Sequence, residues 1–547
     1  MFTRVFGNKN TANKPGGTLS ENGCTKLNHL DGRVLRRIRD LGATHVWLTG
    51  ILRHATVTDY SAFGIPRQHP DVVKGVAGSP YAVADYYDVD PDLAENVEGR
   101  MTEFEALVER IHQAGLKVII DFVPNHVARQ YHSVCRPEGV KDLGQCDDTS
   151  MHFSPRNNFY YCWGHALDLS AIGPSGQGTP YSEVPAKATG NDQFSHRPCA
   201  NDWYETVKLN YGIDYCDAGG RSEHFDPLPD TWGKMTDILL FWAAKGIDGF
   251  RCDMAEMVPA AFWAWAIDKV KFCHPDCFFV GEVYDPGQYR NYIWAGFDYL
   301  YDKVGMYDCL RDVVCGYRPA ADITRQWQAT DDIRDHTLYF LENHDEQRVA
   351  STFFAGEARK GIPAMLVCAL LQNNPVMVYA GQEFGEKGMD AEGFSGTDGR
   401  TTIFDYWSVK STLNGYFDRR KMTKEEKELE ACYKKILTVA RDHPAAALGK
   451  TFDLMYVNPA LADRQYAFLR KHGGDMLLVV ANFSNEKCCT DIILPQHAFD
   501  FLDIPQVEAM GTDLLGGQSV KALLKPEQSV HVEMEAWGGC VIHFPLG

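Results

Sequence analysis

The sequence predicts an α/β protein: a TIM-type (β/α)8 barrel with a small inserted domain after its third strand and a C-terminal antiparallel β-sandwich. Three observations carry this expectation. Short β-rich runs alternate with longer segments of helical period, residues 127–210 drop out of that rhythm, and the tail beyond residue 444 alternates apolar and polar residues with turn signals between its runs. The expected domains are therefore 1–126 and 211–443 for the two parts of the barrel, 127–210 for the insert and 444–547 for the sandwich. A chain of 547 residues exceeds one ordinary core, which suits this division.

Eight runs read as barrel strands: FTRVF (2–6), HVWLTG (45–50), KVIIDFV (117–123), IDGFRCD (247–253), FFVGEV (278–283), FDYLYD (297–302), TLYFLEN (337–343) and PVMVYAG (375–381). Between them, VLRRIRDLG (34–42) places Val34, Leu35, Ile38 and Leu41 on one helical face. FEALVERIHQAGL (104–116) does the same with Phe104, Leu107, Val108 and Ile111, and both patterns end near a Gly where a left-handed cap is expected. The insert is rich in Gly, Pro, Asn and aromatics, lacks a sustained period and is too long for a bare loop. After the helical stretch 423–443, the runs QYAFLRK, DMLLVVANF, DIILP and GCVIHF supply the sandwich.

The net charge of -19 opposes nucleic acid and anionic membranes and favours a neutral ligand such as a sugar. No segment has the ~18 uninterrupted apolar residues of a membrane span. The opening MFTRVFGN shows no basic stretch followed by an apolar one, so the chain reads as cytoplasmic, or as a mature or trimmed secreted or periplasmic enzyme. Sixteen cysteines form no paired CxxC pattern, which favours buried thiols over a metal cluster.

A barrel works at the carboxyl ends of its strands, and these ends are crowded with polar residues. DFVPNH carries Asp121, Asn125 and His126; GFRCD carries Arg251 and Asp253; GEV carries Glu282; NHD carries His344 and Asp345. A lone Asp at a strand end is usually a cap. Carboxylates from several strands meeting at one mouth raise each other's pKa and cost stability, so their joint presence asks for a reaction. Arg251 lies two residues before Asp253, on the same strand face, where its cation would hold Asp253 ionised. Glu282 follows the apolar FFVG with no cation adjacent in sequence, a setting that predicts a raised pKa.

In order and spacing, DFVPNH, GFRCDMAEMV, FVGEVYD and FLENHDEQR resemble the motifs of the α-amylase family, retaining enzymes acting on α-glucosidic bonds. The resemblance extends to SPYAVADYYDVDP (79–91) and to the barrel, insert and sandwich plan. It implies that Asp253 is the nucleophile, Glu282 the general acid and base, and Asp345 a second carboxylate steadying an oxocarbenium-like transition state. It implies further that His126 and His344 bind sugar hydroxyls and that Tyr81 stacks on the same glucose, with Arg251 completing this binding group. Arg348 falls where the family places an Arg that orients the nucleophile or Asp345; a salt bridge to Glu346 is the alternative. Asn125 matches a family calcium ligand, so Ca2+ is the implied ion, and no organic cofactor is expected.

Two departures bear on substrate. Glu256 and Met257 stand where many starch-cleaving relatives have Lys and His, and TVKLN (206–210) looks like the MPKLN of members acting on pullulan and cyclodextrins. The expected activity is hydrolysis of α-1,4-glucosidic bonds in starch-like glucans or maltooligosaccharides through a covalent glucosyl-enzyme. A transglycosylase using the same residues, or a non-catalytic glucan-binding or partner barrel, are the alternatives.

Overall fold

The computed structural model describes residues 1–173, 175–176, 178–394 and 396–546. Seven strands lie parallel and side by side in chain order: β1 (His45–Leu48), β2 (Lys117–Phe122), β3 (Gly249–Cys252), β4 (Phe278–Gly281), β5 (Tyr299–Tyr301), β6 (Thr337–Phe340) and β7 (Val376–Met377). The register sets Arg251 of β3 opposite Asp121 of β2 and Val280 of β4, which brings the carboxyl ends of these three strands level. Helices pack against the sheet, among them Gly32–Leu41, which leads into β1 and buries Val34, Leu35, Ile38 and Leu41. Asp31 caps that helix by accepting the N–H groups of Arg33 and Val34, and the left-handed Gly42 (φ 116°) ends it where a Cβ would strike Leu437.

The first predicted strand is corrected. Met1 to Thr3 do pair along Trp47 to Thr49, with the Thr49 N–H donating to Met1 O at 3.0 Å and the Thr3 N–H to Thr49 O at 3.2 Å. Thr3–Phe6, however, is one turn of helix. Phe2, Val5 and Phe6 are the buried apolar residues, and their i, i+3, i+4 spacing suits a helical turn as well as it suits a strand. Buried Arg4 then donates to the carbonyls of Ala77, Gly78 and Ile403. Among the described residues no ladder joins β7 to this segment, so the sheet is a curled wall of seven strands.

After β2 the chain leaves the barrel. His126–Ala128 pairs antiparallel with Thr206–Lys208, and Tyr161–Cys162 with Ala186–Lys187. The first of these pairs sets His126 opposite Lys208 and so lays TVKLN against the end of DFVPNH.

The C-terminal region is antiparallel. Its strands are β8 (Lys450–Asp453), β9 (Gln465–His472), β10 (Asp475–Asn482), β11 (Cys488–Ile493), β12 (Val507–Asp513), β13 (Ser519–Leu524), β14 (Ser529–Met534) and β15 (Gly538–Pro545). Six form a sheet in the order β8-β9-β10-β15-β12-β13, and β11 pairs with β14. Every residue of the helix Ile362–Leu370 is buried, because it is clad by the barrel on one side and by this sheet on the other. No helix of the described residues is long and apolar enough to cross a membrane.

Candidate active site

Three strand ends converge on one guanidinium. Arg251, 1% exposed, places one terminal nitrogen 2.6 Å from Asp253 and 3.3 Å from Asp121, and the other 2.8 Å from Glu282. The rings of Trp47, Tyr81 and Tyr301 surround it at 5.3, 5.4 and 5.6 Å from their centroids. These walls exclude water and strengthen every charge interaction inside.

Glu282 is therefore not free of cations. The neighbour absent from its local sequence arrives from the adjacent strand, and it touches both carboxylates at once. Two donors hydrogen-bond Glu282: the Tyr284 hydroxyl at 2.7 Å to one oxygen and the Met254 N–H at 2.7 Å to the other. Met254 has a left-handed backbone (φ 44°), a strained conformation for a side chain of its size, and this turn after Asp253 is what aims its N–H at Glu282. Burial pushes the Asp253 carboxyl well up; Arg251 opposes this shift and the charge of Glu282 adds to it. Asp253 and Glu282, from adjacent strand ends, are thus held together on one cation.

The end of β6 supplies the facing group. His344 Nε2 lies 3.1 Å from Asp345 and 2.6 Å from the Tyr81 hydroxyl, and the Tyr81 and His344 rings stack with centroids 5.1 Å apart. Asn343 accepts the N–H groups of Asp345 and Glu346, both at 2.9 Å, which shapes the turn. The Asp345 side chain is 35% exposed. Partial burial raises its pKa, but His344, Arg251 and Arg400 outweigh that and hold it below the ordinary carboxylate value.

His126 is buried beside Trp203, with ring centroids 5.2 Å apart. Burial, with Lys208 and Lys74 nearby, lowers its pKa to about 3, so it is a neutral imidazole at working pH. Arg348 is not at the mouth. It is 1% exposed, binds Glu342 at 2.9 Å and the Ala380 carbonyl at 3.1 Å, and lies 4.0 Å from the Tyr379 ring. Glu342 also accepts the Val349 N–H at 2.8 Å, so the pair ties together the two sides of the loop that carries Asp345. Glu346 turns instead to the Tyr307 hydroxyl at 3.2 Å.

The residues around Asn125 do not fit a calcium ion. The Asn125 side-chain oxygen accepts from the ammonium of Lys208, which also lies 2.7 Å from an Asp192 oxygen and donates to Met257 O at 3.2 Å. The Lys208 side chain is 2% exposed. A cation already stands among these three oxygens, and they include one carboxylate, against the six to eight oxygens calcium takes.

Sequence reasoning missed Trp47, Tyr284, Tyr301 and Lys208. Trp47 Nε1 donates to Asp121 at 3.0 Å, and Tyr301 contacts Arg251 through its hydroxyl at 3.2 Å. Both sit inside predicted strands, and a count of aromatics near strand ends would have found them.

A curled parallel sheet whose strand ends gather three buried carboxyl groups, Asp121, Asp253 and Glu282, on one guanidinium, with Asp345 beside His344 at the end of β6, is the arrangement of a glycoside hydrolase of the barrel type. The family model for the alpha amylase catalytic domain matches residues 23–171 and 227–447, and the chain belongs to that family. It is 26% identical over 448 residues to alpha-amylase 3 of Dictyoglomus thermophilum, covering 76% of this chain and 79% of the relative. It is 24% identical to neopullulanase 2 of Thermoactinomyces vulgaris, covering 98% and 77%. Among solved structures, an α-amylase from Geobacillus thermoleovorans in complex with acarbose superposes with a TM-score of 0.64 at 18% identity, covering 100% of this chain and 97% of the other.

Proposed function

We propose that the enzyme hydrolyses α-1,4-glucosidic bonds in maltooligosaccharides and starch-like glucans by double displacement. Asp253 attacks the anomeric carbon while Glu282 gives its proton to the departing glycosidic oxygen; water then attacks the glucosyl-Asp253 ester as the Glu282 carboxylate takes a proton from that water, which frees Asp253, and the anomeric configuration is retained. Asp345, ionised and beside His344, is placed to counter charge on the ring carbon and oxygen and to accept from its hydroxyls. Tyr81 and neutral His126 complete the subsite.

The observation that carries this reading is the Arg251 guanidinium shared between Asp253 and Glu282, because it holds close together the two carboxyl groups that flank the scissile bond in double displacement. TVKLN, laid against His126, and the similarity to a protein named neopullulanase support short or branched glucans as substrates. Lys208 supports a second element of the proposal: its ammonium takes the structural place of calcium.

Glu282→Gln tests the reading. It should lower kcat on maltotriose by about 10²–10⁴-fold, and wild-type product followed by NMR should appear first as the α anomer. Initial release of the β anomer, or undiminished turnover in Glu282→Gln, contradicts it. Adding maltose as an acceptor separates hydrolysis from transfer: longer oligosaccharides appearing faster than glucose would assign a transglycosylase.

A further inference from the structure

Far from the mouth in sequence, three ligating side chains meet where the last barrel helix hands over to the C-terminal sheet. His443 directly follows the helix Lys424–Asp442, Asp475 opens β10, and His543 lies near the end of β15. These two strands are antiparallel neighbours, with Asp475 opposite Pro545 and Leu477 opposite His543. Asp475 and His543 are thus diagonal neighbours on one face of the sheet, because side chains alternate with a period of two. An Asp475 oxygen is 2.8 Å from His543 Nε2 and 3.4 Å from His443 Nδ1, and the three ligand atoms all lie within 4.8 Å of one another. The imidazole rings meet edge to face at 67° with centroids 4.8 Å apart. The second Asp475 oxygen accepts the Ala445 N–H at 2.8 Å, which locks the carboxylate with its first oxygen turned toward both rings.

We propose that His443, Asp475 and His543 bind a transition-metal ion of the Zn2+ class and thereby clamp the C-terminal sheet to the end of the last barrel helix. Two imidazole nitrogens with a single carboxylate oxygen suit zinc and its neighbours and do not suit calcium or magnesium, which take oxygen ligands. Zinc bonds of about 2.0–2.2 Å arranged tetrahedrally need ligand atoms spaced only slightly differently from those found here. The side chains of His443, Asp475 and His543 remain 24%, 15% and 24% exposed, so solvent has access to complete the coordination. A ring nitrogen that hydrogen-bonds Asp475 without metal carries a proton; on binding, the ring keeps that proton on its other nitrogen and gives the metal its lone pair, and the carboxylate exchanges its contacts with the rings for one metal bond. The Ala445 N–H is the outer contact that keeps the carboxylate aimed, as second partners of metal ligands commonly do.

The full-length protein, stripped of metal and then freed of chelator, is titrated with Zn2+ alone by calorimetry, beside His443→Ala, Asp475→Asn and His543→Gln. Asp475→Asn and His543→Gln keep hydrogen-bonding side chains, so the fold survives even if His443→Ala disturbs the junction. The expected result is a Zn2+ equivalent whose affinity falls at least tenfold in each variant, together with a wild-type rise in Tm of about 2 °C at a hundredfold excess over Kd that the variants lack. Titration with Co2+ reports the ligands: the component lost in the variants shows ligand-field absorption without thiolate charge transfer. Zn2+ affinity and Tm response shared by wild type and all three variants overturn the proposal, as does thiolate absorption in that component, which would assign the metal to cysteines.

Discussion

Arg251 and Arg53 are both almost fully buried, 1% and 2% exposed, and both are set among carboxylates. Arg53 contacts Asp85 and Asp88, each at 3.2 Å, and Asp88 also binds Arg100 at 2.6 Å, so two cations face two acids. Asp85 is further satisfied by the Ser133 hydroxyl and by the N–H groups of Tyr87, Val134 and Cys135. Around Arg251 three carboxylates, Asp121, Asp253 and Glu282, face a single cation. The balanced cluster matches cations to acids in number and braces the chain between β1 and β2 against the insert. The unbalanced one carries surplus negative charge in a low-dielectric mouth, which a folded protein retains at a cost in stability. Buried ion pairs as such do not mark the site; the ratio of acids to cations does.

Replacing one acid in each cluster should therefore have opposite effects. Asp253→Asn is expected to lower kcat by roughly 10⁴-fold, because a nucleophile that acts as part of a unit removes most of the rate when lost. Its stability should not fall. The folded-state pKa of Asp253 lies above the unfolded value, so the native state binds its proton more tightly, and the group's contribution is lost as pH rises from the ordinary carboxylate range through the folded value. Asn removes that loss, so thermal melts of the variant should show a shallower decline between acid and neutral pH than wild type. Asp88→Asn should do the reverse. Denaturant unfolding should show about 3–5 kcal/mol lost, because two buried guanidinium groups lose their shared partner, while kcat of the folded fraction stays at the wild-type value. If Asp253→Asn destabilised the protein more than Asp88→Asn, the distinction between the clusters would not hold.

The Lys208 cluster lies between these cases, with one cation against one carboxylate and two neutral oxygens. Adding Ca2+ to metal-free wild type should change neither Tm nor activity. Lys208→Asn should cost about 2 kcal/mol by leaving buried acceptors unsatisfied, and millimolar Ca2+ should restore part of that loss. A wild-type enzyme stabilised by Ca2+ and abolished by Lys208→Asn at any Ca2+ concentration would show that the ammonium is not the substitute.

What the sequence made legible was local. Asp121, Arg251, Asp253, Glu282, His344 and Asp345 sit at the ends of apolar runs, where strand period and the resemblance to the family's motifs together mark them. Contacts across the barrel were not legible: Trp47 reaches Asp121 from 74 positions away, and the Arg251 contact with Glu282 joins adjacent strands separated by a whole helix. Period also failed where two periods coincide. Phe2, Val5 and Phe6 fit a helical turn and a strand alike, and only the packing of Arg4 against distant carbonyls decides between them. The partner of Arg348 was hidden for a related reason, since Glu342, and not Glu346, pairs with it, and Glu342 lies within the same apolar run that reads as plain strand.

The finest difference between the clusters is in their hydrogen-bond donors. Asp85 is held by backbone groups and a serine, whereas Glu282 is held at one oxygen by a phenol, Tyr284. Burial and the charge of Glu282 push the Tyr284 pKa far up, so it is a fixed donor across the working pH range. The loop that carries it is pinned in turn by Glu256, whose carboxylate accepts the N–H groups of Tyr284 and Asp285 at 2.9 and 3.0 Å. This gives a local purpose to the departure at Glu256. Tyr284→Phe should lower kcat about tenfold, the scale of one hydrogen bond, with little change in Tm. Glu256→Ala should show a similar loss through the loosened loop, and Glu256→Gln, which keeps an acceptor, should recover most of it. Equal kcat in Glu256→Ala and Glu256→Gln would mean that the pinning hydrogen bonds do not reach the acid, leaving Tyr284 to act alone.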